Sequence, residues 1–443
     1  MKKFLSLILS LVVMLSVFFG CGKSESDGIT VYYIDGCSQL TRAMDNYENN
    51  TGIKLNKVAF ENSEDIQAKI NTDEADVYLL RNGYTDIQKL MASGKLEPLN
   101  GYINNDESFN AENYFNGVMD CGIYSGENYI LPFGFTLNSF YTTDGRLADY
   151  NAELSTESSL TDIMSEISKD IYENADNMNV SVTSVTYDAG KFASFYRVSG
   201  IDYIDTNNKT VNLNTPEFKA VADFCKALYK NAEKLTEIQS QLDSESVEDY
   251  TNNIGYFIGN NVNPMLYIYF QTIVTGYGGS NELNNVKALP LPMYNNSGKY
   301  CIDIDTFGAI SSSSEYKNEC YELLRTAMDT EGCLLEDSAA NKVNSPVSVN
   351  KNSAKEVIDI CLNDTNDSQF KLDNGKTVAT AKYTQDFANE TTDVYDNIEK
   401  AVLSNYSADN ILSEVMIKYY RDEEDFNSCI TELENKLTIY LNE

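Results

Sequence analysis

The chain has 443 residues, 67 of them acidic and 33 basic, for a formal charge of -34. That balance excludes a nucleic-acid partner, because a phosphate backbone needs a basic footprint, and it excludes adhesion of the folded surface to anionic lipid by charge. His and Trp are absent while 31 Tyr and 19 Phe remain, which removes His-bearing zinc sites, Ser-His-Asp triads and imidazole bases. At roughly 150 residues per domain the length implies two or three domains.

Lys2 and Lys3 precede an apolar run from Phe4 to Phe19, interrupted only by Ser, and Gly20-Cys21-Gly22 follows. A basic start, an apolar core and a small residue at the cut site describe an export signal over residues 1–20. The alternative, a retained anchor, is disfavoured because the run is shorter than the ~20 residues a spanning helix needs. Leu15-Ser-Val-Phe-Phe-Gly20-Cys21 resembles the lipobox of bacterial lipoproteins, which implies cleavage before Cys21 and a lipid on its side chain. Removing Lys2 and Lys3 takes the formal charge from -34 to -36. Residues 21–28 are polar and read as a tether. Eight further cysteines, without a CxxC pair, leave two readings open: mostly buried free thiols, or one or more disulfides.

In chain order, Ile29–Ile34 is β-branched and aromatic and predicts a strand. Cys37–Asn49 places Leu40, Ala43, Met44 and Tyr47 on one helical face, and Thr51-Gly52 stops it. A strand over Ile53–Phe60, a helix over Glu64–Ile70, a strand over Ala75–Leu80 and a helix over Thr85–Met91 ending before Gly94 repeat the alternation of a parallel α/β unit. Asn128–Phe135, broken by Pro132 and Gly134, predicts a strand feeding a crossing segment that Leu137–Tyr141 continues. Helices are expected at Leu160–Asn174, Lys191–Val198, Pro216–Glu233, Pro264–Thr275 and Tyr316–Thr330. Strands are expected at Val180–Val185, Ile254–Ile258, Val286–Leu291 and Asp305–Ile310. From Ser353 onward the pattern is helical, around Val357, Val378, Phe387, Val394, Ile398, Val402, Ile411–Tyr419 and Phe426–Leu437.

Several of these segments resemble the family 1 extracellular solute-binding proteins, the receptor lipoproteins of bacterial ABC importers. The likeness rests on Tyr47-Glu-Asn-Asn-Thr-Gly52-Ile-Lys-Leu55, Ala75-Asp76-Val77, Leu90-Met-Ala-Ser-Gly94-Lys-Leu96-Glu-Pro98-Leu99, Tyr129-Ile-Leu-Pro132-Phe133, Ser139-Phe140-Tyr141, Phe307-Gly308-Ala309-Ile310 and Ser345-Pro346-Val347 in that order. At Ser139–Thr143 the Asn usual in the family is missing, and beyond Val349 only helical character is shared. The resemblance implies an α/β, two-lobed periplasmic-binding-protein-like fold of type II, with an interlobe cleft and a helical C-terminal region. The first lobe is expected from residues 29–135 with about 303–347, the second from 136–302 with about 348–443. It further implies a monomeric receptor held on the outer face of the cytoplasmic membrane through Cys21, with two permease subunits as partners, no cofactor and no catalysis.

Open α/β sheets bind ligands outside the carboxyl ends of their strands. That rule selects Asp35 and Gly36 after the first strand, Arg81, Asn82, Gly83 and Tyr84 after the third, and Phe133 and Phe135 in the crossing region. The second lobe offers Tyr187 and Asp188 after the strand at Val180, Asn260 and Asn261 after Ile258, and Tyr277 in a Gly-rich loop, while Asp303 and Asp305 sit near the last expected crossing. Competing structural roles are core packing for Phe133 and Phe135, helix capping for Asp35 and a solvated edge for Arg81. The resemblance makes a neutral sugar or short oligosaccharide the leading ligand, with Tyr and Phe replacing the missing Trp as platforms. Alternatives are a polyamine or other cation paired with Asp35, Asp188 and Asp303, and a surface-attached glycoside hydrolase or adhesin. No nucleotide-binding or nucleophile-elbow motif occurs. Glu61–Asp65 and Arg421–Asp425 do not match a calcium-loop register and read as solvated surface.

Overall fold

Ile29–Ile34 (β1) leads into Ser38–Thr51 (α1), Leu55–Phe60 (β2), Ser63–Thr72 (α2) and Val77–Arg81 (β3) in the computed structural model. Residues 28–72, 75–155, 157–177, 182–184, 189–241, 255–259, 262–278, 286–290, 299–330, 346–364, 368–372 and 375–443 are described. The leader, Cys21 and Cys333 lie outside them. Helix α1 forms because Leu40, Ala43, Met44 and Tyr47 recur at helical spacing and are all buried. It ends where Gly52 takes φ 75° and returns its N–H to Glu48 O. Asp35 is no cap for it: the cap position is Cys37, without a side-chain capping bond.

The chain continues through Ile87–Ala92 (α3), Asn100–Asn105 (α4), Leu131–Thr136 (β4), Ser139–Thr143 (β5), Asp144–Asp149 (α5), Leu160–Glu173 (α6), Ala189–Val198 (α7), Pro216–Gln241 (α8) and Phe257–Gly259 (β6). Then come Pro264–Gly278 (α9), Val286–Pro290 (β7), Tyr300–Ile310 (β8), Lys317–Met328 (α10), Val347–Ser348 (β9), Lys351–Asn363 (α11), Gln385–Asp396 (α12), Ile398–Val402 (β10), Tyr406–Tyr420 (α13) and Phe426–Asn442 (α14). Asp86 caps α3, and Ser159 with Asp162 forms a capping box on α6.

One seven-stranded sheet has the order β9-β4-β8-β3-β1-β2, with β10 alongside β8. Strands β1, β2 and β3 are parallel, while β8 runs antiparallel to β3 and β4. Strand β3, inside the sheet, is covered on both faces, and its first four residues are buried. Gly134 and Gly308 are demanded by close approach. A methyl group at Gly308 would sit 2.4 Å from Leu324 and 2.5 Å from the Phe133 ring, and one at Gly134 would meet Gln39, Pro346 and Thr306 at 2.8 Å.

A smaller sheet, β6-β5-β7, is antiparallel. The alternation of β5 sends neighbouring rings to opposite faces. Phe140 packs with Phe195 and Phe224, in a core shared with α6, α7, α8, α13 and α14. Tyr141 packs with Tyr267 and Phe270 of α9, against which α11 and α12 also lie, in a core continuous with that of the large sheet.

The C-terminal stretch is therefore not uniformly helical, contrary to the expectation from its pattern. Ile398–Val402 pairs in parallel with β8 and returns to the large sheet, and Val378 lies in a two-stranded ribbon. Ile398 and Val402 have a helical four-residue spacing, but the long-range partner decides their conformation. The expected strand at Val180–Val185 is described only over residues 182–184, where Thr183 makes an isolated bridge to Tyr256. Among the described residues, Cys37, Cys121, Cys225, Cys301, Cys320, Cys361 and Cys429 form no disulfide. Burial pushes the Cys301 and Cys320 thiols up to about 12, which makes them poor nucleophiles. Among the described residues no helix is long and apolar enough to cross a membrane.

Candidate functional site

Because β1 and β3 are parallel neighbours, their carboxyl ends open on one edge of the large sheet. Strand β8 is antiparallel to β3 with Thr306 opposite Arg81, so Asp305 and Asp303 lie at the same edge. The Asn82 N–H donates to Asp305 O at 2.7 Å, and the Asp35 N–H to Phe60 O at 2.9 Å. The structure thus gathers Asp35, Arg81, Asn82, Gly83, Tyr84, Asp303 and Asp305. Asp35 is exposed, and Tyr84 is half-buried against the first core. Gly83 has φ 81°, the left-handed turn that lets the chain leave β3 for α3.

Apart from the exposed Asp35, the charged side chains gathered at this edge are paired internally. Arg81 donates to Asp305 through Nε at 3.2 Å and Nη2 at 3.0 Å, a two-pronged bond rather than a solvated side chain. The Asp305 carboxylate raises the Arg81 pKa above its ordinary value, outweighing burial. Asn82 Nδ2 donates to Asp303 Oδ1 at 2.9 Å, and Asn82 Oδ1 accepts the Ser404 N–H at 2.9 Å. Asp303 Oδ2 accepts from Arg197 Nη2 at 2.5 Å and Nε at 3.1 Å. Arg197 Nη1 donates to Asp409 Oδ2 at 2.5 Å, and Tyr203 donates to Asp409 Oδ1 at 2.7 Å. Burial alone would lower the Arg197 pKa, but Asp303 and Asp409 outweigh it and hold the guanidinium charged.

Arg197, Tyr203, Ser404 and Asp409 are absent from the sequence-derived candidates. The available signal was Arg197 itself. It interrupts a helix whose Phe192, Ala193, Phe195, Tyr196 and Val198 are apolar, so it has to be paired. Two candidates are corrected. Phe133 and Phe135 are fully buried. Phe133 covers Gly308, and Phe135 packs edge-on against Phe115 and Tyr395. They fill the core because both point inward from a strand covered on its two faces. Tyr187, Asp188, Asn260 and Asn261 lie outside the described residues. Tyr277 falls in the last turn of α9 rather than in a loop, and its side chain is likewise outside the description. Among the described residues no cluster of three or more His, Cys, Asp or Glu could hold a metal ion.

Several solved structures share this fold. The sugar-binding protein MalE from Xanthomonas citri is similar with TM-score 0.64 and 12% identity, over 94% of this chain and 97% of that one. The ABC substrate-binding protein Lmo0181 from Listeria monocytogenes, in complex with cycloalternan, gives 0.59 and 14%, over 94% and 99%. The ABC transporter associated binding protein from B. animalis subsp. lactis Bl-04, in complex with beta-1,6-galactobiose, gives 0.56 and 16%, over 94% and 98%. They establish a periplasmic-binding-protein-like α/β fold. No curated protein sequence matches the chain. Residues 42–357 match the family model described as bacterial extracellular solute-binding protein. The chain belongs to that family, the receptors of bacterial ABC-type importers, and is a binding protein rather than an enzyme.

Proposed function

We propose that the protein captures a neutral sugar or short oligosaccharide between two lobes and delivers it to an ABC importer. The first lobe takes the described residues of 29–136 and 300–348 with β10, and the second takes the described residues of 139–290, 351–396 and 404–443. Two separate sheets support the division: the seven-stranded sheet for the first lobe, and the three-stranded sheet for the second. The two permease subunits and a lipid on Cys21 complete the assembly, in line with the family and the leader sequence. The receptor acts as a monomer.

The self-pairing of charge at the strand-end edge carries the ligand reading. Arg81 is neutralised by Asp305, so an anionic sugar would have to break a two-pronged bond to use it. Both oxygens of Asp303 are engaged, by Asn82 and Arg197, so an ammonium group gains little there. Tyr84 then offers an aromatic face with a hydroxyl, suited to sugar C–H surfaces and rims, and Asp35 accepts hydroxyl protons. Asp188, Tyr187, Asn260 and Tyr277 are proposed for the facing wall. The similar receptors named above as sugar-binding or sugar-bound support the same class. Glycan-array binding by the mature chain, with Tyr84→Ala alongside, tests the proposal. Retention of neutral glycans that drops in Tyr84→Ala is expected. Retention of acidic glycans only overturns it.

A further inference from the structure

The bonds around Arg197 close a ring. Asn82 donates to Asp303, Asp303 accepts Arg197, and Arg197 donates to Asp409. Asp409 accepts the Ser404 hydroxyl, and the Ser404 N–H returns to Asn82. With Tyr203 included, all four carboxylate oxygens have a donor. The charged side chains are 8–11% exposed.

The members come from both sides of the molecule. Asn82 and Asp303 belong to the large sheet's edge. Arg197 and Asp409 belong to α7 and α13, which pack on each other in the second core. Ser404 lies where the chain leaves β10 for α13. Helix α7 starts at the residue after Asp188, and Asn82 opens the turn that carries Tyr84. The ring therefore connects the two walls proposed to face the ligand. A tilt of α7 against the sheet draws Arg197, on α7, away from Asp303, on β8. In so dry a place a half-broken ring leaves a charge unpaired, so intermediate tilts are disfavoured. Two discrete arrangements are the result, as in hinge-closing receptors.

We propose that this ring is an interlobe latch, with Arg197 as its positioning residue, which sets the angle between the Asn82–Tyr84 turn and helix α7. The inference rests on the two-lobed receptor reading. Asn82 is a tie rather than a ligand group: both ends of its amide are occupied. A solute that touches Tyr84 or the Gly83 backbone acts on the latch through the adjacent residue.

Small-angle scattering of the ligand-free mature chain tests this with Asn82→Ala, Arg197→Lys and, as control, Arg81→Met, whose partner Asp305 lies in the same sheet. The latch predicts a larger radius of gyration for the first two variants. The control lowers the melting temperature without moving the radius. Unchanged radii in both latch variants, with lowered melting temperatures, would make the ring an ordinary structural ion pair and overturn the proposal. If Arg197→Lys fails to fold, Asn82→Ala leaves every charge paired and decides alone. Since no solute is present, failure of wild type to retain glycans counts against the ligand reading, whereas unchanged radii alongside glycan binding count against the latch alone.

Discussion

Two buried carboxylate sites border the second core, and they solve the problem of burial differently. At the Arg197 ring, Asp303 and Asp409 stay paired with a cation and have every oxygen satisfied. Asp170 of α6 is 0% exposed, accepts one bond from the Tyr256 hydroxyl at 2.9 Å, and its Oδ1 has no partner. Burial pushes its pKa up to about 6, against the lowering effect of the Tyr256 bond. Beside Arg197 a guanidinium lies against both carboxylates and offsets part of the cost of burying them. Beside Asp170 no cation is near enough to offset burial, so its carboxyl takes up a proton more readily than a free one and carries a destabilising charge above about pH 6.

The largest expected effect comes from emptying the first site. Arg197→Met leaves two buried carboxylates facing each other and should destabilise by about 3–5 kcal/mol in urea unfolding. Next is the second site. The folded-state pKa of Asp170 lies above the unfolded value near 3.9, so the native state binds this proton more tightly. Its stabilising contribution is present below pH ~4 and is lost as pH rises to about 6, beyond which it stays lost. Asp170→Asn should therefore raise stability at pH 7 by about 2 kcal/mol and flatten the melting-temperature profile between pH 4 and 6. An unchanged profile would show that the carboxyl is not under this strain. The smallest effect is that of Tyr256→Phe. It removes the one donor, costs about 1 kcal/mol, and shifts the Asp170 midpoint upward in the same pH series.

Much of the architecture is written locally. Strands β1, β2 and β3 and helices α1 to α3 follow from alternation, helical spacing and glycine stops, and they fall within a few residues of expectation. Asp35 and Arg81–Tyr84 lie at the carboxyl ends of β1 and β3, and Asp303 and Asp305 reach the same edge because β8 runs antiparallel to β3. What failed was set at long range. Ile398–Val402 is a strand because β8 offers it a partner. The strand expected at Asn128–Phe135 does form, over Leu131–Thr136, and only the reason for its glycine is long-range: Gly134 is there so that Gln39, Pro346 and Thr306 can approach. Arg197 meets residues more than a hundred positions away, and no local pattern names a partner at that distance.

The central claim, a receptor for a neutral saccharide, is most directly tested by thermal unfolding of the mature chain in parallel series of neutral mono- and oligosaccharides, acidic sugars and polyamines. A ligand held only by the folded state at 100 times its dissociation constant adds about 2.7 kcal/mol of stability. The account predicts such a rise with at least one neutral saccharide and none with spermidine. A rise with spermidine alone would contradict it.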